Sequence, residues 1–224
     1  ATTGTITAGV QFAFGCASSA TRFWSVGVTE TDGDAMTSTQ NWNKAFYTDG
    51  CLHRLTLNAD TLDAQWDLDS FDTDGLTLGV LNAPANTDRI ATILIIKGGQ
   101  WEAGNKAAAT VAGNDTFTLA NSGLTPAGVL LGTISQAITG ISTATTALCL
   151  GAGSTANATR GSAVNNCLGI AGIEADPTNC DRYRATDAII VLLADGGSEI
   201  ADAWYDTASA GSFIIEWAVG SGEA

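Results

Sequence analysis

His53 is the single histidine of the chain, so any chemistry that needs an imidazole runs through it. A Ser-His-Asp relay would also need a nucleophile turn of the form Gly-x-Ser-x-Gly, and none is present. The nearest string, Gly211-Ser-Phe213, reads as a turn leading into a strand. A Cys-His pair would draw on Cys16, Cys51, Cys149, Cys167 or Cys180. Cys51 stands two residues from His53 in an alternating run, so both side chains leave the same strand face. Strand neighbours of this kind are packing partners, and catalysis is not expected at either. No two cysteines are spaced Cys-x-x-Cys, which argues against zinc. Buried free thiols are expected, with one or two disulfides as the alternative if the protein works outside a cell.

The carboxylates Asp60, Asp63, Asp67, Asp69, Asp72 and Asp74 crowd one stretch. Two of them could flank a glycosidic bond as acid and base. Several could instead hold calcium through hard oxygen ligands. The EF-hand loop does not fit, because placing Gly75 at its sixth position puts Ser70 first and Leu81 twelfth. The expected reading is a solvated turn between two strands, and residues 30–34 read as an acidic hairpin loop. Gly151-Ala-Gly153 is a poor fragment of a dinucleotide fingerprint and reads as an irregular turn. No metal and no cofactor is expected.

The six tryptophans are Trp24, Trp42, Trp66, Trp101, Trp204 and Trp217. Trp217 lies in an apolar run and is expected to be buried. Trp42 and Trp101 sit in the polar strings Asn41-Trp-Asn43 and Gln100-Trp-Glu102, which makes them the candidates for an interface or a ligand-facing surface.

These residues need a scaffold, and the composition narrows it. The chain has 224 residues and a formal net charge of −14. That balance excludes a duplex nucleic-acid footprint and docking on anionic lipid. Only 14% of residues are charged and 45% are hydrophobic, the profile of a folded chain rather than a disordered acidic one. Gly is abundant at 26, Met stands at 1 and Lys plus Arg at 9, so helix-forming surface residues are scarce. The opening Ala-Thr-Thr-Gly-Thr-Ile-Thr-Ala-Gly has no basic region, so it does not read as a secretory leader. No apolar run is long enough to span a bilayer as a helix.

Apolar or alternating runs separated by Gly, Asn, Asp and Ser predict strands at 10–14, 23–28, 51–57, 76–81, 89–96, 128–131, 147–150, 167–173, 188–193 and 213–219. The run 90–96 is almost wholly apolar, which predicts a sheet centre. In 51–57, His53, Leu55 and Leu57 share a face with Cys51, opposite Leu52 and Arg54. Asp-Gly pairs at Gly33, Gly50, Gly75 and Gly196 predict turns with an easy positive φ. Residues 41–46 and 177–183 could form single helical turns.

The sequence also matches itself at an offset near 136 residues. Phe14-Gly-Cys-Ala-Ser-Ser-Ala-Thr-Arg22 aligns with Leu150-Gly-Ala-Gly-Ser-Thr-Ala-Asn-Ala-Thr-Arg160, and Tyr47 aligns with Tyr183. Residues 52–60 align with 188–195, and Asp69-Ser-Phe-Asp-Thr-Asp-Gly75 aligns with Asp206-Thr-Ala-Ser-Ala-Gly211. The second copy is preceded by Thr116-Phe-Thr-Leu119 and Gly123-Leu-Thr-Pro-Ala-Gly-Val-Leu-Leu131, while the first has only residues 1–8 in that place. The first copy is thus expected to lack its leading strands, and the second to lack an equivalent of 89–96. An open sheet edge invites another chain to pair there.

Gly123-Leu-Thr-Pro-Ala-Gly-Val-Leu-Leu131 resembles the "G-F-x-P-x-A-V-x-F" opening of a β-sandwich module of tailed-phage virion proteins. Phe71-Asp-Thr-Asp-Gly-Leu-Thr-Leu78, followed by 89–96 and Gly98-Gly99, resembles that module's "F-x-x-D-G-F-T-L", strand and Gly-Gly. Phe14-Gly-Cys-Ala-Ser18 resembles its "G-F-A-x-S" element. The second copy departs from the pattern where Asp206-Thr-Ala-Ser-Ala-Gly211 lacks both the Phe and the Asp before Gly.

The expected architecture is all-β: two tandem, related antiparallel β-sandwich (jelly-roll-like) modules, residues 1–104 and 105–224. The resemblance implies a non-enzymatic virion structural protein, a capsid decoration or a tail or fibre component. Its partners would be copies of itself and other virion proteins, with no nucleic acid and no membrane. The alternative is a receptor- or glycan-binding adhesin module, with loop aromatics and carboxylates as its site and a host surface glycan as its partner.

Overall fold

A computed structural model of the chain describes residues 10–30, 42–56, 61–84, 92–109, 111–135, 140–142, 146–154, 165–172, 180–194 and 198–219. At some strand ends, Trp42 and Cys180 among them, only the backbone is described. All regular structure among these residues is β, in four antiparallel sheets.

The N-terminal half contains β1 (Val10–Ser19), β2 (Arg22–Glu30), β3 (Trp42–Tyr47), β4 (Leu52–Leu55), β5 (Leu62–Phe71) and β6 (Leu76–Asn82). The C-terminal half contains β7 (Gly113–Thr118), β8 (Gly128–Ile134), β9 (Gly140–Ser142), β10 (Thr146–Ser154), β11 (Asn166–Gly172), β12 (Cys180–Ala185), β13 (Ile190–Leu193), β14 (Glu199–Ser209) and β15 (Ser212–Val219). The C-terminal sheets run β12-β11-β10-β8 and β13-β14-β15-β7. The N-terminal sheets run β1-β2-β3-β9 and β4-β5-β6. The β1-β2-β3 and β4-β5-β6 meanders thus have the strand order of β10-β11-β12 and β13-β14-β15. The difference lies at the edges. In the C-terminal half β8 covers β10 and β7 covers β15, whereas β1 and β6 have no such neighbour among the described residues.

Both halves show the same close approach of backbone to backbone. A Cβ on Gly15 of β1 would stand 2.1 Å from the Cys51 carbonyl oxygen, and one on Gly151 of β10 would stand 1.7 Å from that of Ile189. Any larger residue would force the two sheets apart, which is why glycine occupies both strands.

The C-terminal interior is a conventional apolar core. Ile189, Ile190, Val191, Leu192 and Leu193 are all buried, and they pack with Cys149, Ile215 and Trp217. Phe117 stacks on Phe213 at 4.8 Å, and Tyr205 meets the same ring edge-on at 5.7 Å. The N-terminal half distributes its polarity differently. Along β2, Ser25, Gly27 and Thr29 face β4, while Trp24, Val26 and Val28 face away from it. The interior on the first side holds buried Ser25, Thr29, Asn43, His53 and Gln65. The apolar side packs on Ile134, Leu148 and Ile170 of the C-terminal half. Gly132 lets the two sheets meet, since a Cβ there would lie 2.9 Å from Val26 Cγ2. The strongest hydrophobic contact of β2 therefore joins the halves instead of filling its own sandwich.

Several expectations are corrected. Residues 92–96 of the predicted central strand 89–96 belong to no sheet and are exposed throughout; 89–91 lie outside the described residues. Residues 62–71 of the acidic stretch form β5, not a turn, and only 72–75 make the hairpin loop. The predicted helical turn at 41–46 overlaps β3, because Ala45 and Phe46 alternate across a sheet. The turn at 177–183 overlaps β12, with 173–179 outside the described residues. Gly151 and Gly153 lie in β10 rather than in a turn. Gly50 and Gly75 do not have positive φ; among the described residues Gly98, Gly99, Gly113, Gly140 and Gly211 do. The Asp-Gly pairs at Gly33 and Gly196 lie outside the described residues.

Candidate interaction surface

The residues considered for chemistry are dispersed. His53 is only 2% exposed, on β4. Its Nδ1 shares a hydrogen bond with Ser25 Oγ at 2.8 Å, and its ring meets Tyr47 edge-on at 5.0 Å. Burial lowers its pKa to about 4, so the imidazole is neutral at pH 7. A Ser-His contact sealed from solvent cannot meet a substrate, and it serves as a polar tie between the two N-terminal sheets.

Two of the carboxylates, Asp63 and Asp72, are held locally, whereas Asp67 Oδ1 is buried without a hydrogen-bond partner. Asp63 pairs with Arg54 at 2.5 Å, and Arg54 Nε also donates to Gln11 Oε1 at 2.7 Å. Asp72 accepts from Ser70 Oγ and Thr77 Oγ1, both at 2.9 Å, and closes the β5–β6 hairpin. Asp67 and Asp69 face Gly79 across the same hairpin. Asp60 lies outside the described residues. Among the described residues no three His, Cys, Asp or Glu side chains gather in a metal-binding group. Cys16, Cys51, Cys149 and Cys167 are free thiols, and the side chain of Cys180 is not described. Burial, reinforced by Cys51, raises the Cys16 pKa to about 12, so its thiol keeps its proton. The neighbouring Cys167 thiol and burial hold the Cys149 pKa high, and Cys149 Sγ donates to the Ile189 carbonyl at 3.9 Å.

What the fold leaves outward is different in kind. Trp101 is 62% exposed. Trp42 opens β3 opposite Glu30, with its side chain outside the description. Trp217 is buried at 2% exposure, as expected. Just before Trp101 runs Thr92-Ile-Leu-Ile-Ile-Lys97. Ile93, Leu94, Ile95 and Ile96 are all at least half exposed, and Leu94 reaches 83%. No side chain of this apolar run is buried.

The segment is nevertheless moored. Gly98 and Gly99 have φ of 92° and 74°, and Trp101 Nε1 closes this elbow by donating to the Gly98 carbonyl at 2.6 Å. Glu102 pairs with Arg22 and accepts from the amides of Ala120 at 2.6 Å and Asn121 at 3.1 Å. Desolvation opposes its charge, but the two amides and Arg22 prevail and lower its pKa. The Ala103 amide donates to Ser18 Oγ at 2.8 Å, and Ala103 is buried between the halves. Beyond it Lys106 pairs with Asp115 and lies 5.0 Å over the Phe117 ring.

An open groove of about 3110 Å³ runs beside this segment. Its walls include Phe14 and Cys16 of β1, Leu76 and Leu78 of β6, and Leu130 of β8. Residues of β1 and β6, whose outer edges no described strand covers, therefore border the same space as the segment. The sequence places 90–96 at a sheet centre, whereas its described part, 92–96, belongs to no sheet.

Comparison with known proteins finds no family model, no curated protein and no solved structure that matches the chain. The fold itself defines the class, an all-β protein with four antiparallel sheets among the described residues.

Proposed function

We propose that this chain is a non-enzymatic structural protein of a tailed-phage virion, a capsid decoration or tail or fibre component that acts by self-assembly. The observation that carries the reading is the presence in one chain of sheet edges at β1 and β6 that no described strand covers and of the exposed apolar run 93–96. A monomer meant to stay alone blunts such features with charges, prolines or a covering element. The shared strand order of the two halves, together with Gly15 and Gly151 at matching close approaches, supports two related sandwich modules in tandem. The sequence resemblance to virion modules supplies the setting, a particle outside the cell. The net charge of −14 keeps such a chain soluble before it assembles.

Exposed Trp101 favours one other reading, a glycan-binding adhesin module in which the indole stacks on a sugar ring. Electron microscopy of the concentrated chain and a glycan array separate the two. Closed rings, trimers or filaments without glycan binding are expected. A monodisperse single particle that binds one glycan class would replace the structural reading with the adhesin one.

A further inference from the structure

The segment 92–96 and the outer edge of β6 are complementary surfaces left unused within one chain. In the C-terminal half the equivalent edge, that of β15, carries β7 over the register Ser212↔Thr118 to Trp217↔Gly113. On β6 that place is vacant among the described residues. Val80 and Leu81 on adjacent sides of β6 are 59% and 51% exposed, and Phe71 at the neighbouring hairpin is 53% exposed. The string Leu76-Thr-Leu-Gly-Val-Leu-Asn82 contains no Lys, Arg, Asp, Glu or Pro, and Thr92-Ile-Leu-Ile-Ile96 contains none either. Neither strand therefore carries the usual protection against edge pairing. Five residues of β-branched and leucine side chains match the common length of a strand. The elbow at Gly98–Gly99 and the moorings of Glu102 and Ala103 fix how the segment leaves the body of its own chain, and in that position it pairs with none of the described strands.

We infer that residues 92–96 of one copy add as an edge strand to β6 of a second copy. The inference rests on the reading of the chain as a self-assembling structural protein and names its contact. The backbone groups of β6 and of the segment satisfy each other, and Ile93 or Leu94 covers Val80 or Leu81 according to register. Two copies that exchange segments reciprocally close as a symmetric dimer. Copies that donate in one direction continue into rings or filaments.

Hydrogen–deuterium exchange on the full chain tests this, together with its native mass from about 1 to 100 μM. Slow exchange is expected at both 92–96 and 76–82 in a dimer or larger species. Leu94→Asp and Ile95→Asp are each expected to weaken association by more than about tenfold. Both positions are at least half exposed, so the substitutions leave the fold intact. The control Val111→Asp, at a 65% exposed site elsewhere, should change nothing. A monomer with fast exchange at 92–96 overturns the inference. A monomer with slow exchange there also overturns it, because the segment has then found an edge of its own chain. An oligomer indifferent to Leu94→Asp and Ile95→Asp overturns the strand pairing and leaves the structural reading standing. A monomer that binds glycan removes both.

Discussion

Acidification should destabilise the N-terminal half through His53 before the carboxylates begin to protonate. His53 Nδ1 is occupied by Ser25 Oγ, and Nε2 is buried without a partner. It lies so near the Gly27 backbone that a Cβ there would stand 2.6 Å away. No described side chain bonds to Nε2 to compensate an imidazolium. Burial lowers the folded-state pKa to about 4 from the ordinary 6.5. The unfolded chain then binds more protons than the folded one between those values, so stability is full above 6.5 and is lost as the pH falls towards 4. The whole gap is worth about 3 kcal/mol, and roughly 2 kcal/mol of it should disappear between pH 7 and pH 5. Urea denaturation at those two pH values measures the loss, with His53→Gln as the control whose slope over the same range should be flatter. An imidazole that titrates near 6.5 by NMR, or an unchanged slope in His53→Gln, would refute the reasoning.

Lys44 gives a second pH signature. It is 4% exposed between the halves, donates to the Ser135 carbonyl at 2.7 Å, and has its pKa lowered to about 8 by burial. Stability should therefore rise as the pH climbs from 8 towards 10.5 and be lost again on the way down, and Lys44→Met should remove that rise in thermal melts. Gly15→Ala and Gly151→Ala drive a methyl into a carbonyl oxygen and should each cost about 1–3 kcal/mol or more in chemical denaturation. Gly75→Ala, which meets open space, should change stability by less than about 0.5 kcal/mol. Trp24→Ala removes the largest side chain of the contact between the halves and should cost about 3–5 kcal/mol by the same measurement. Glu102→Gln should speed amide exchange at Ala120 and Asn121, whose acceptor loses its charge.

The strands easiest to read were those whose alternation or solid apolarity matched their burial. In β2, Trp24, Val26 and Val28 alternate with Ser25, Gly27 and Thr29, and residues 190–193 are buried to the last side chain. β5 escaped because Asp63, Asp67 and Asp69 dominate its composition, although Ala64 and Leu68 mark its buried side. The polar string at Asn41-Trp-Asn-Lys44 concealed β3, whose buried Asn43 and Lys44 find their partners only in the folded chain. Alternation also gave no sign of which side of β2 faces its own sandwich. The apolar side turns towards the other half, and the polar side with Ser25 and His53 faces inward. Residues 92–96 show the limit most clearly. Their apolarity states that they belong against something, but a sequence cannot say whether that partner lies in the same chain.

The native mass of the 224-residue chain by light scattering across concentrations tests the central claim of self-assembly most directly. A dimer, a trimer, a larger ring or a mass that grows with concentration is the predicted result. A monomer at every concentration would contradict it.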